Sequence, residues 1–114
     1  MTDQWVTFSR LGSAELVRLT GEIDLANAHD IGRAIARHTT AAEAVLIDLT
    51  RVSFLDSAGV RLLDSLAGDM AHSGTPFRLV VGERGPARMT LTLCAFRDDL
   101  LANDLDRAAA ELNG

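Results

Sequence analysis

One serine in this chain stands where chemistry at a hydroxyl group is favoured. Ser57 lies in the run 54–59, FLDSAG, between a segment that reads as a buried strand and one that reads as an amphipathic helix. We predict that Ser57 is the N-cap of that helix, its oxygen accepting a bond from a free backbone N–H of the first turn. The same place favours a phosphate, because the free N–H groups and the helix dipole attract negative charge. Capping and phosphorylation would then compete for one hydroxyl, and the residues alone favour capping.

The remaining reactive side chains fit ordinary structural roles better. Asp24, Asp48 and Asp56 fall near the ends of predicted strands, where functional groups of α/β sheets gather, but turns and caps explain each of them singly. Leu55 stands where a nucleophile elbow, Gly-x-Ser-x-Gly, needs its first glycine. The three histidines have no metal-ligand spacing, and no nucleotide-binding motif is present. We therefore expect no catalytic, metal-binding or cofactor-binding residues.

The elements that must position Ser57 alternate between extended and helical segments, which is typical of an α/β layer structure. A hairpin is expected at the start, and Asn27 is expected to cap the first helix with Asp30 in the manner of a capping box. The predicted strands lie near 5–8, 16–24, 45–49, 77–81 and 100–101, and the first two predicted helices lie near 27–38 and 58–72. A short third helix is expected to start over 82–86 and to run through Leu93, and a terminal helix capped by Asn103 or Asp104 is expected to reach Leu112.

Size and charge narrow the classes of partner. A chain of 114 residues with 47% hydrophobic residues predicts one domain over 1–114. Its net charge of −5 disfavours nucleic acid and anionic membrane surfaces, and no apolar run approaches the roughly 20 residues that span a bilayer. Cys94 is the single cysteine, so no internal disulfide is possible. We expect a cytoplasmic protein with no direct membrane insertion and with a protein partner.

Two stretches carry a resemblance to a known family. Residues 18–24, RLTGEID, and then 45–59, VLIDLTRVSFLDSAG, resemble the bacterial anti-sigma factor antagonists, which are stand-alone STAS domains. The resemblance covers nearly the whole chain. It implies an α/β STAS fold, in which a four- to five-stranded mixed β-sheet has about four α-helices packed mainly on one side.

The resemblance also implies a function. In that family the serine matching Ser57 is phosphorylated by an anti-sigma factor with an ATP-binding serine kinase fold. The unphosphorylated antagonist binds that kinase and frees a sigma factor, phosphorylation ends the binding, and a PPM-type serine phosphatase restores it. The antagonist itself is not an enzyme. By the same resemblance the partner-binding residues are Asp24, Asp56, Ser57, Ala58 and Gly59, with Asp24 beside the phosphorylation site.

Two departures and two alternatives accompany this interpretation. Ala58 replaces a second hydroxyl that is common in the motif. Residues 93–96, LCAF, replace the family's Ser/Thr-Gly-Leu after the third helix, so the family's turn and its contacts are not expected to carry over directly. Some STAS domains are instead structural subunits of a lipid-transport ABC complex, and others are scaffold components of a stress-signalling assembly. Phe54 and Leu55 before the aspartate resemble the antagonists more.

Overall fold

Strands and helices follow one another in the predicted order. The computed structural model describes residues 4–113. The elements are β1 (Val6–Leu11), β2 (Ala14–Ile23), α1 (Ala28–His38), β3 (Ala44–Leu55), α2 (Ser57–Ser73), β4 (Phe77–Val80), α3 (Pro86–Leu93), β5 (Leu101–Ala102) and α4 (Leu105–Asn113). A short 3₁₀ turn over Asp98–Leu100 precedes β5. The main difference from prediction is that β3 continues well past its apolar run, as far as Leu55.

The five strands form one sheet in which spatial order equals chain order, β1-β2-β3-β4-β5. β1 and β2 pair antiparallel as the predicted hairpin. The remaining neighbours pair in parallel. The mixed sheet and the α/β class are therefore as predicted.

The central strand β3 is buried on both faces, which explains its uninterrupted apolar start. Alternate side chains of a strand point to opposite faces, so Val45 and Ile47 face one helix layer while Leu46 faces the other. The first layer contains α1, α2 and α3, whose buried contacts include Ile31, Ile35, Leu63, Leu66 and Leu91. Small side chains of α4, Ala108 and Ala109, pack on the second face. Three helices thus lie on one side and one on the other, in agreement with the predicted fold.

The pairing of β2 with β3 is irregular close to its carboxyl end. Register shifts occur between Arg18 and Thr20 and again between Gly21 and Glu22. Gly21 has a φ of +83°, a backbone conformation that glycine adopts without strain. Irregularities of this kind re-aim the side chains that follow them. Despite them, the two strands finish level with each other.

Candidate functional site

The ends of β2 and β3 bring two connecting segments to the same edge of the sheet. Ile23 pairs with Leu55, and the next residue, Asp56, donates its backbone N–H to the carbonyl oxygen of Ile23 at 3.2 Å. The loop before α1 and the start of α2 are consequently neighbours. This is the carboxyl edge of two parallel strands, where α/β sheets commonly carry their functional groups.

The Asp56 carboxylate organises this edge by accepting three backbone N–H groups. Its Oδ1 accepts from Ala58 at 2.8 Å and from Gly59 at 3.0 Å, while its Oδ2 accepts from Leu25 at 3.2 Å. The first two bonds satisfy free donors of α2, and a negative group is favoured there by the helix dipole. One side chain therefore caps a helix and also fastens the loop between β2 and α1.

The prediction that Ser57 is the N-cap is wrong. The N-cap is Asp56, whose extended backbone and two-oxygen carboxylate reach both the helix and the loop, and Ser57 is the first residue of α2. Ser57 is exposed, and its hydroxyl makes no hydrogen bond with any residue of the described range 4–113. The expected competition between capping and phosphorylation does not arise, because the hydroxyl has no capping role.

The predicted capping box at α1 is also absent. Asn27 occupies the N-cap position, but its side chain makes no capping bond. Its Oδ1 instead accepts from the backbone N–H of Asp24 at 2.9 Å, and its Nδ2 donates to the carbonyl oxygen of Glu22 at 2.8 Å. The Asp24 carboxylate accepts from the N–H of Ala26 at 3.0 Å. This loop therefore has a shape fixed by its own polar side chains.

Two apolar side chains near Ser57 project into solvent. Leu25, in the fixed loop, is 80% exposed, and Phe54, just before Asp56, is 49% exposed. Exposed apolar groups beside a functional group are typical of contact surfaces. Neither residue is among the predicted partner-binding residues. In the sequence, Phe54 and Leu55 are consecutive apolar residues after polar Ser53, so the alternation of apolar and polar residues ends there. That break was the sequence signal for an unusual surface at this point.

Gly59 allows α2 to approach the ends of the strands closely. A Cβ added there would lie 2.4 Å from Leu55 Cδ1 and 3.2 Å from the carbonyl oxygen of Ile23. Contacts that short force a shift in buried structure. Among the predicted residues, Asp56, Ala58 and Gly59 thus form the base beneath Ser57. Asp24 lies in the adjoining loop, immediately before the residue that Asp56 binds.

Asp48 belongs to a different part of the molecule. It follows Leu46 at a spacing of two on β3, so it lies on the α4 side of the sheet, where it is buried and lies 3.3 Å from Arg18 Nε. It also accepts from the backbone N–H of Thr50 at 2.9 Å and from its hydroxyl at 2.6 Å. Within residues 4–113, no group of three or more histidine, cysteine, aspartate or glutamate residues is arranged to hold a metal ion.

A cleft of about 340 Å³ opens between the start of α2 and the segment that follows α3. Its lining consists of Ser57, Val60, Arg61, Asp64, Cys94, Ala95, Phe96 and Arg97. Two arginines therefore line the same cleft as the free serine. On the other side of α2, Ala58 lines a separate groove between α1 and α2.

The turn after α3, where the sequence departs from the family pattern, is well formed. Ala95 has a φ of +55°, and the N–H groups of Ala95 and Phe96 bond to the carbonyl oxygens of Thr92 and Leu91 at 3.1 and 3.0 Å. This is the Schellman arrangement, which usually has glycine at the left-handed position. Alanine there keeps the turn at some conformational cost, and Phe96 packs against the core.

No helix in the described part of the chain has the length and apolar character needed to span a bilayer.

Comparison with known proteins gives consistent matches. A family model described as STAS domain matches residues 9–108. The anti-sigma-F factor antagonist RsfA of Mycobacterium tuberculosis is 32% identical over 97 residues, which cover 82% of this chain and 75% of that protein. An anti-sigma factor antagonist structure from Mycobacterium paratuberculosis aligns with a TM-score of 0.83 and 24% identity, over 96% of this chain and 93% of the other. The phosphorylated form of the Bacillus cell fate determinant SpoIIAA aligns with a TM-score of 0.67 and 17% identity, over 93% and 96%.

Proposed function

This chain belongs to the STAS domain family, and on that basis we propose that it is an anti-sigma factor antagonist controlled by phosphorylation. In this proposal the unphosphorylated protein binds, in the cytoplasm, an anti-sigma factor with an ATP-binding serine kinase fold and so releases a sigma factor. Phosphorylation of Ser57 ends the binding, and a PPM-type serine phosphatase restores it. The name of the M. tuberculosis relative supports the partner class, and the phosphorylated SpoIIAA supports the modification.

The observation that carries the proposal is that Asp56 caps α2, whereas Ser57 does not. Because Asp56 provides the cap, the Ser57 hydroxyl is exposed and without a hydrogen bond in residues 4–113. A kinase can therefore reach it without first unwinding the helix. A serine that capped the helix itself would lose that bond on modification.

In the phosphoryl transfer this chain would be the substrate. The Ser57 oxygen attacks the γ-phosphorus of ATP, the new O–P bond forms as the bond to the bridging oxygen breaks, ADP leaves, and the hydroxyl proton passes to a base. No histidine or carboxylate is hydrogen-bonded to that hydroxyl within the described residues. The base and the nucleotide would therefore come from the partner, and the chain would catalyse nothing.

Loss of binding follows from the surroundings of Ser57. A phosphoserine carries about −1.5 to −2 charges, which a docking partner must desolvate. The exposed apolar side chains of Leu25 and Phe54 lie near that charge and would form the contact surface together with Asp24. Asp56, Ala58 and Gly59 would shape the surface from beneath. The helix itself should persist, because a phosphate at its start meets a favourable dipole.

Affinity capture from native lysate tests the proposal, with wild type, Ser57→Ala, Ser57→Asp and Ser9→Asp as baits. Ser9 is an exposed serine on β1, so Ser9→Asp adds the same charge away from the site. We expect an ATP-binding serine kinase on every bait except Ser57→Asp, which should bind it at least about tenfold less tightly while melting near the wild-type temperature.

Other results would contradict the proposal. An ABC ATPase retained equally by all four baits would make the chain a structural transport subunit. Retention of other STAS proteins alone would make it a scaffold component. A large fall in the melting temperature of Ser57→Asp with kinase binding unchanged would show that position 57 is structural.

A further inference from the structure

Two arginines line the cleft that also contains Ser57. The cleft of about 340 Å³ beside Ser57 is lined by Arg61 from α2 and by Arg97 from the segment after α3. Residues four apart on a helix are surface neighbours, so Arg61 lies one turn from Ser57 on the same side of α2. Arg97 approaches from a different element. The two cations that line the cleft with Ser57 therefore belong to different elements, and Arg61 also lines the groove between α1 and α2.

Both guanidinium groups are available for a new partner. Arg61 is exposed and has no ion pair with any residue of 4–113. Arg97 pairs with Asp99 two residues away, with 2.7 Å between Nη2 and Oδ2, and both side chains are exposed. The hydrogen bond and the charge of Asp99 raise the pKa of Arg97. The same hydrogen bond lowers the pKa of Asp99. The pair has two hydrogen bonds but is open to solvent and screened by salt, so Arg97 can exchange one anion for another.

We propose that Arg61 and Arg97 form an internal receptor for the Ser57 phosphate, and that Arg97 leaves Asp99 to join it. A phosphate offers three acceptor oxygens and more charge than a carboxylate, and guanidinium groups bind such oxygens in a two-pronged geometry. The proposal rests on the proposed phosphorylation of Ser57 and extends it. Phosphorylation would then join the start of α2 to the segment before β5, besides adding charge to the docking surface.

The acidic groups near the cleft do not cancel the arginines. Asp64 and the Cys94 thiol complete the titratable lining of the cleft, which thus contains two cations and one carboxylate. Asp56 adjoins Ser57 along the chain, but its carboxylate oxygens already accept three backbone N–H groups. The lining residues of the cleft therefore carry a net positive charge.

The test places phosphoserine at position 57 during synthesis, so that no kinase is needed, and follows its titration by ³¹P NMR. The second pKa of free phosphoserine is about 6. A guanidinium favours the dianion, so we expect that pKa to be lower by about half a unit or more in the folded protein. The second pKa should be higher in the double variant Arg61→Gln/Arg97→Gln than in the wild type, because only the contribution of the helix dipole remains. Arg107→Gln removes the same charge from an exposed position on α4 and should leave the pKa unchanged.

Asp99 supplies a second measurement. If Arg97 transfers to the phosphate, the pKa of the Asp99 carboxyl should rise toward its usual range on phosphorylation, as it should in unphosphorylated Arg97→Gln. Equal phosphoserine pKa values in all variants, or an Asp99 pKa indifferent to phosphorylation, would overturn the proposal. The single variants repeat the test if the double variant is unfolded by circular dichroism. Because the phosphate is introduced without a kinase, this failure is distinct from a failed partner capture.

Discussion

Asp48 and Asp56 are eight residues apart in the chain, but their carboxylates lie in different surroundings. Asp48 directs its oxygens to Arg18 and to Thr50, on the face of the sheet that α4 covers. Asp56 directs its oxygens to backbone N–H groups of two separate segments, at the open edge of the sheet. In the first region the carboxylate itself is buried, while its partners Arg18 and Thr50 reach the surface. The second leaves a serine hydroxyl and two apolar side chains exposed to solvent.

The difference separates a carboxylate within the packed structure from one at the candidate functional site. Each of the two side chains has its oxygens satisfied, and residue type alone does not separate them. The two carboxylates differ in the groups that they bind. Asp48 binds side chains on one face of the sheet, whereas Asp56 binds segments that expose Ser57, Leu25 and Phe54 to solvent. Substitutions in the two regions should therefore have different consequences for stability and for partner binding.

Removing Asp48 should have the largest effect on stability. Arg18 Nε is buried, has no hydrogen-bond partner in residues 4–113 and would lose the carboxylate 3.3 Å away, and Thr50 would lose both of its bonds to Asp48. We expect Asp48→Ala to lower the free energy of unfolding by about 3 kcal/mol in urea denaturation. Partner binding should be retained under conditions where the variant is folded. Lost binding with unchanged stability would remove the distinction between the two aspartates.

A methyl group beneath the serine should have the next largest effect. Gly59→Ala places a Cβ 2.4 Å from Leu55 Cδ1, so we expect a loss of about 2 kcal/mol in the free energy of unfolding. Gly68→Ala is the matched control in the same helix, since nothing lies within 4 Å of its added Cβ. There alanine should stabilise by about 0.5–1 kcal/mol through helix propensity. Equal melting temperatures for the two variants would contradict a close contact at Gly59.

Asp56→Asn should have the smallest effect on stability and separates the two roles of that side chain. Asparagine is as good an N-cap as aspartate, so the free energy of unfolding should fall by less than about 1 kcal/mol. An amide has only one acceptor oxygen, so while it caps α2 it cannot also accept from Leu25. Hydrogen exchange should accelerate at the Leu25 amide and remain slow at Ala58 and Gly59. Acceleration at the helix amides with Leu25 still protected would reverse the roles assigned to the two oxygens.

The sequence predicted the layers better than the hydrogen bonds. Apolar periodicity located every strand and helix, because burial leaves a repeating record in the residue types. Capping depends on which oxygen reaches which N–H. Asp56 and Ser57 are both good N-cap residues, and only the geometry after Leu55 decides between them. The side chain of Asn27 was likewise drawn to Glu22 and Asp24 by loop geometry that residue types do not record. The placement of Leu25 and Phe54 at the same edge of the sheet depends on two strands ending level, which a linear pattern does not show.

The order of the sheet has a consequence for biosynthesis. Since β1 to β5 lie side by side in the order in which they are made, each new strand leaving the ribosome finds its neighbour already present. Three of the four strand pairs are parallel, so each of them closes a connection that contains a helix, and pairing of that kind is slow. The edge of the sheet that carries Ser57 would be assembled midway through translation, as soon as β3 has joined β2 and Asp56 can reach Leu25. Before that point Ser57 would lie on an unfolded segment, because the hydrogen bonds of Asp56 to Leu25, Ala58 and Gly59 would not yet have formed.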